Sequence, residues 1–115
     1  MIDFETYKKL IKKVLLLAGQ NPLKEQIEAI YERIKDEYEI EDFIKACDDD
    51  ELIIEWSIRV NYPALRRVLD KHMSDRIERE ERERKQREKR ELEEMLRNEK
   101  VPEFVKDFLQ KIKTL

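Results

Sequence analysis

From Glu78 to Glu91 the chain reads EREERERKQREKRE, fourteen consecutive residues without one apolar side chain. Such a stretch cannot enter a core, which leaves a solvated helix or an unstructured connector. The order of the charges favours the helix. Asp75 and Arg79, Glu78 and Arg82, Glu80 and Arg84, Glu81 and Lys85, and Glu83 and Arg87 stand at i and i+4 with the acid first. That orientation stabilises an isolated helix by about 0.2–0.5 kcal/mol per pair. A coiled coil needs apolar a and d positions sustained over several heptads, and this run has none. The reading is therefore an exposed helical strut; a frayed linker, or an imperfect coiled coil closed by Ile77, Leu92, Met95 and Leu96, are the alternatives.

Elsewhere the chain is punctuated like a helical bundle. Phe4, Tyr7, Leu10, Ile11, Val14, Leu15 and Ala18 recur at helical spacing, and Gly19 with the following QNP ends that helix. A second helix from Pro22 or Leu23 turns Ile27, Ile30, Tyr31 and Ile34 inward. A third, from Ile40, faces Phe43, Ile44 and Cys47 in. The acidic residues 48–50 suit an N-cap better than a helix interior, so a fourth helix from Glu51 to about Val60 follows, carrying Leu52, Ile53, Trp56 and Val60. One unbroken helix over 41–60 fits the periodicity equally well. Pro63 opens a fifth helix with Leu65, Val68, Leu69, His72, Met73 and Ile77 on one stripe, and no stop signal appears before Asn98. A helix from 63 to 97 spans roughly 52 Å at 1.5 Å per residue. The expected fold is all-α: a compact helical N-terminal domain over 1–73, a charged helical strut over 74–100, and a short amphipathic helix over 101–115.

Charge narrows the function. Lys and Arg number 25 against 28 Asp and Glu. The balance by segment is 12 against 16 in residues 1–73, 10 against 10 in residues 74–100, and 3 against 2 in residues 101–115. The charged run is thus neutral, which removes the reading of a basic arm for nucleic acid or anionic lipid. The single cysteine, Cys47, allows neither an intrachain disulfide nor a zinc cluster. The acids Asp48 to Glu51 lack the alternation and glycine of a calcium loop, so no metal is expected. His72, the only histidine, has no Ser, Cys or second His near it in sequence. No enzyme activity and no cofactor are expected. The chain opens without a signal peptide, and Val14 to Ala18 is too short to span a bilayer, so a cytoplasmic protein without membrane attachment is expected.

Two segments are candidates for contact with a partner. In residues 101–115, Val105, Phe108, Leu109 and Ile112 share one helical face with Phe104 at its edge, the pattern of a helix that docks in a groove. Alternatively this face covers the chain's own core or a second copy. In "PALRRVLDKH", Arg66, Arg67 and Lys71 form a cationic flank that could touch DNA, a possible but less favoured role. Residues 36–55 hold ten acids and one base, Lys45, and could serve a basic partner.

"IEAIYERIKDEYEIEDFIKAC" (Ile27–Cys47), then "NYPALRRVLDKH" (Asn61–His72), then a charged tail with a short apolar end, resembles the small phage proteins that load or inhibit a DnaB-type hexameric replicative helicase. The resemblance implies a helical N-terminal domain that serves a second protein partner and a C-terminal part that engages the helicase. By position, Phe104, Val105, Phe108, Leu109 and Ile112 would make that contact. The implied role is that of a non-enzymatic adaptor of DNA replication. A small DNA-binding or inhibitory phage regulator using helix 63–73, or a self-associating helical protein, are the other expectations. Here the turn before the late helix is shorter, and the tail more helical, than the family's pattern.

Overall fold

The structure is a computed structural model that describes residues 1–97, 107, 108 and 110–112. The fold is all-α, with α1 at Phe4–Ala18, α2 at Lys24–Ile34, α3 at Ile40–Cys47, α4 at Asp50–Ile58 and α5 at Tyr62–Arg97. No strand occurs among the described residues.

Each boundary has a local cause. Asp3 caps α1 by accepting from the Thr6 N–H at 3.0 Å and from the Thr6 hydroxyl at 2.9 Å, and these bonds hold its carboxyl below the usual carboxylate range. Gly19 ends α1 in the left-handed region at φ 71°, its N–H returning to Leu15 O and Leu16 O. Glu39 and Asp42 form a reciprocal capping box at the start of α3. Asp49 caps α4, accepting from the Glu51 N–H at 3.0 Å, so the chain breaks at 48–49 and the continuous 41–60 helix does not form. Asn61 accepts from the Ala64 N–H at 2.8 Å and launches α5 at Tyr62, one residue ahead of the expected Pro63. Proline tolerates this first turn because the N–H it lacks would have no intrahelical acceptor there.

Two compact units divide the chain, Met1–Ile77 and Glu78–Leu115. In the first, α1 packs along α4 and α3 over a core that includes Tyr7, Val14, Ile34, Phe43, Leu52, Trp56, Leu65 and Leu69. The phenols that enter this core keep their hydroxyls bonded: Tyr7 donates to Ile27 O at 2.6 Å and Tyr31 to Ile2 O at 2.8 Å. The Trp56 indole N–H donates to Asn61 O at 3.0 Å, tying α4 to the turn before α5.

Two expectations about this unit are corrected. Ile44 does not face in: it is exposed, because the buried side of α3 is Asp42, Phe43, Ala46 and Cys47. Ile77, expected on the buried stripe of α5, is also exposed. Near the end of this unit Arg76 reaches back to the fully buried Asp42, with Nε at 2.9 Å from Oδ1.

The second unit holds the rest of α5. Residues 80–91 are all exposed, as the absence of apolar side chains requires. Glu81 and Lys85 pair at 3.8 Å, and Arg84 and Glu88 at 3.9 Å with the base first.

Candidate functional site

Phe108 and Ile112 lie one helical turn apart in helical backbone, 62% and 49% exposed. At those exposures both side chains present apolar surface to solvent. The other members of the expected docking face, Phe104, Val105 and Leu109, lie outside the described residues.

Arg66, Arg67 and Lys71 occupy successive turns of α5, as expected, but each is engaged by carboxylates of the same unit. Arg66 binds the Glu37 carboxylate and the Tyr62 hydroxyl and lies near the rings of Tyr38 and Tyr62. Arg67 bridges Glu51 at 3.3 Å and Glu55 at 3.2 Å. Lys71 reaches Asp49 at 2.6 Å and Glu51 at 3.1 Å, and these two carboxylates raise its ammonium above the usual lysine value. The acid-rich stretch 36–55 and the basic flank of α5 are therefore largely two halves of one network. A cation already paired with a carboxylate must give up that partner to bind a phosphate, which makes this flank a poor nucleic-acid surface.

Asp49 is the hub of the network. One carboxylate oxygen caps α4, while the other meets Lys71 and His72, whose Nε2 is 2.8 Å away. The bond from Lys71, with those from the Glu51 N–H and His72, lowers the Asp49 pKa to about 2. Asp49 and His72 are both mostly buried, at 16% and 18% side-chain exposure, so this cluster reads as a structural clamp between α4 and α5. Among the described residues no group of three His, Cys, Asp or Glu could hold a metal ion. Burial pushes the Cys47 thiol up to about 12, leaving an inert core residue.

A second apolar surface escaped the sequence reading. Leu16 and Leu17 on α1 and Ile54 and Ile58 on α4 are 73%, 60%, 64% and 81% exposed. Their signal was present: VLLLA and LIIEWSI carry more apolar residues than one buried stripe can absorb. Two shallow grooves flank α2, one of about 390 Å³ lined by Phe4, Ala29 and Tyr31, and one of about 360 Å³ lined by Ile30, Arg33 and Tyr62. Among the described residues, no helix is long and apolar enough to cross a membrane.

Fold and surface together define an all-α protein whose exposed features are apolar helix faces rather than a cleft with convergent polar groups. No family model, no curated protein and no solved structure matches the chain.

Proposed function

We propose that this protein is a non-enzymatic adaptor whose C-terminal helix docks on a large protein partner, and that the partner is a hexameric replicative helicase, which the protein loads or inhibits. The observation that carries the adaptor reading is the exposed Phe108 and Ile112 pair, one turn apart on a helix. The choice of partner rests on the resemblance in residues 27–47 and 61–72. Action would be stoichiometric: the helix seats its apolar face in a groove of the helicase, and binding strength comes from covering side chains that are exposed in the free protein. The engagement of Arg66, Arg67 and Lys71 by neighbouring carboxylates supports protein binding over DNA binding.

The test uses purified hexameric helicase and the full chain in a binding titration. Covering a large apolar side chain contributes about 1.5–3 kcal/mol, so Phe108→Asp should weaken capture by roughly ten- to a hundredfold. The melting of the Met1–Ile77 unit, read from Trp56, should not move. Loss of both would put Phe108 in the fold's own core and sink the docking role. A helicase that binds neither form would refute the choice of partner while leaving the adaptor architecture to be tested on others.

A further inference from the structure

The two grooves that flank α2 are lined by charges of opposite sign. Ala29 belongs to both and stands on the crest between them. Glu28 and Glu32 line the groove on the Phe4 and Tyr31 side. Among the described residues, the groove of about 360 Å³ on the Tyr62 side has Arg33 as its one charged lining residue. Gln26, Ala29, Ile30 and Arg33 stand at i, i+3, i+4 and i+7, a single face of α2. Ile30 is buried, and Tyr62, the first residue of α5, closes the other side. Tyr62 is fixed in place by Arg66, which donates to its hydroxyl and also binds Glu37. Having accepted from Arg66, that hydroxyl retains its own hydrogen for a further acceptor. Among the described residues, no carboxylate lies at ion-pair distance from Arg33. The acids nearest it in sequence are Glu32, held by Lys35 at 2.8 Å, Glu37, held by Arg66, and the exposed Asp36. Its place in the last turn of α2 complements the carbonyl end of that helix, a role that leaves the guanidinium N–H groups free to donate elsewhere.

We propose that the groove between α2 and the start of α5 docks a segment of another protein in which one carboxylate stands about a helical turn from an apolar side chain, the carboxylate meeting Arg33 and the apolar group covering Ala29, Ile30 and the Tyr62 ring. Charge complementarity selects this occupant: the lining offers the donors of Arg33, Gln26 and Tyr62 around an apolar floor and no carboxylate, which fits an acceptor attached to an apolar body. Ile30 and Arg33 are three residues apart on one helix, about 5–6 Å between Cβ atoms, and this sets the spacing required of the partner. A single carboxylate is specified rather than an acidic run. Residues 1–77 carry 13 Lys and Arg against 17 Asp and Glu, a net −4, so the unit as a whole repels a polyanion. The groove belongs to the Met1–Ile77 unit and the Phe108 face to the other, so the inference does not rest on the helicase as partner.

The probes are labelled helical peptides that share one leucine and carry glutamate, glutamine or lysine one turn further on, titrated into the full chain by fluorescence anisotropy. The glutamate peptide should bind, and the other two should bind at least about fivefold more weakly, the worth of one partly exposed ion pair. A glutamate peptide with serine in place of the leucine should bind at least about tenfold more weakly. Arg33→Glu should reverse the order, so that the lysine peptide binds best, and Arg33→Gln should remove the preference for glutamate over glutamine. Arg33 is exposed, so the Trp56-reported unfolding curve should stay in place; if charge reversal moves it, the milder Arg33→Gln carries the test. Equal binding of the glutamate and glutamine peptides, no binding, or a preference unchanged by Arg33→Gln would overturn the assignment. So would tighter binding of a hexaglutamate peptide, displacement of the glutamate peptide by equimolar 3-phenylpropionate, or self-association abolished by Arg33→Glu. Phe108→Asp should leave the peptide affinity unchanged, which separates a failure here from a failure of the helicase reading.

Discussion

Removing the Asp49 carboxylate should destabilise the Met1–Ile77 unit by an amount that depends on pH. The carboxylate caps α4 through the Glu51 N–H at 3.0 Å and meets Lys71 at 2.6 Å and His72 at 2.8 Å. An N-cap of this kind contributes about 1 kcal/mol. A folded pKa of about 2 against an ordinary 3.8 corresponds to roughly 2.4 kcal/mol by linkage. Because Lys71 is 46% exposed, solvent screening trims that to about 1–2 kcal/mol. Asp49→Ala should therefore cost about 2–3 kcal/mol at pH 7, while Asp49→Asn, which keeps the capping oxygen, should cost less. The sign follows from the depressed pKa: the charge contribution is fully present above the unfolded value of 3.8 and disappears as pH falls through about 2. Urea unfolding followed by the fluorescence of Trp56, the sole tryptophan and fully buried on the helix that Asp49 caps, reports this unit alone. The gap between wild type and Asp49→Asn should close as pH falls from 4 to 2. A gap that keeps its size at pH 2.5, or one below about 0.5 kcal/mol at pH 7, would refute the clamp.

Arg76→Ala should destabilise the same unit by about 3 kcal/mol, since it leaves the fully buried Asp42 with only its capping bond; a double-mutant cycle with Asp42→Asn measures the coupling, and additive losses would remove the pair's role. Gly19→Ala should cost about 1 kcal/mol through backbone strain at φ 71°, because a Cβ there meets nothing within 4 Å; an unchanged urea midpoint would show that the turn relaxes without loss. Cys47, buried and with its pKa pushed up to about 12, should resist a thiol-disulfide reagent in the native state and react at once in urea; rapid native reaction would mean that the α3 region opens.

The helix boundaries were legible because they are written locally. Gly19, the capping acids at 48–49 and the Asn-Tyr-Pro turn each act within a few residues of where they stand. Rotation about a short helix axis is not written that way. In α3, only eight residues long, the apolar pattern admits a stripe through Ile44, and Asp42 decides against it by turning inward to meet Arg76, thirty-four residues away. The same limit hid the fate of the basic flank. Both the cations at 66, 67 and 71 and the acids at 37, 49, 51 and 55 were visible in sequence, but their pairing across separations of 12 to 29 residues is a property of the packed bundle. The aliphatic patch on α1 and α4 was missed for the opposite reason. The stripes read from helical spacing pass over Leu16, Leu17, Ile54 and Ile58, and only the folded chain shows them exposed beside the fully buried Val14 and Trp56.

The two units use the same residue types in different ways, and the difference bears on function. In Met1–Ile77, Arg66, Arg67, Lys71 and Arg76 bind acids distant in sequence, so their charges serve the tertiary fold and are withheld from solvent partners. In the charged run, Glu81 with Lys85 and Arg84 with Glu88 pair within the helix itself, so the run needs no packing partner to remain helical. Neither arrangement leaves a basic surface of the kind that binds nucleic acid through counterion release. Among the described residues, large apolar side chains also stay exposed: Phe108 and Ile112 in one unit, and Leu16, Leu17, Ile54 and Ile58 in the other. Internal pairing of so many charges, with aliphatic and aromatic side chains left exposed in both units, is the physical basis for proposing that the chain acts as an adaptor.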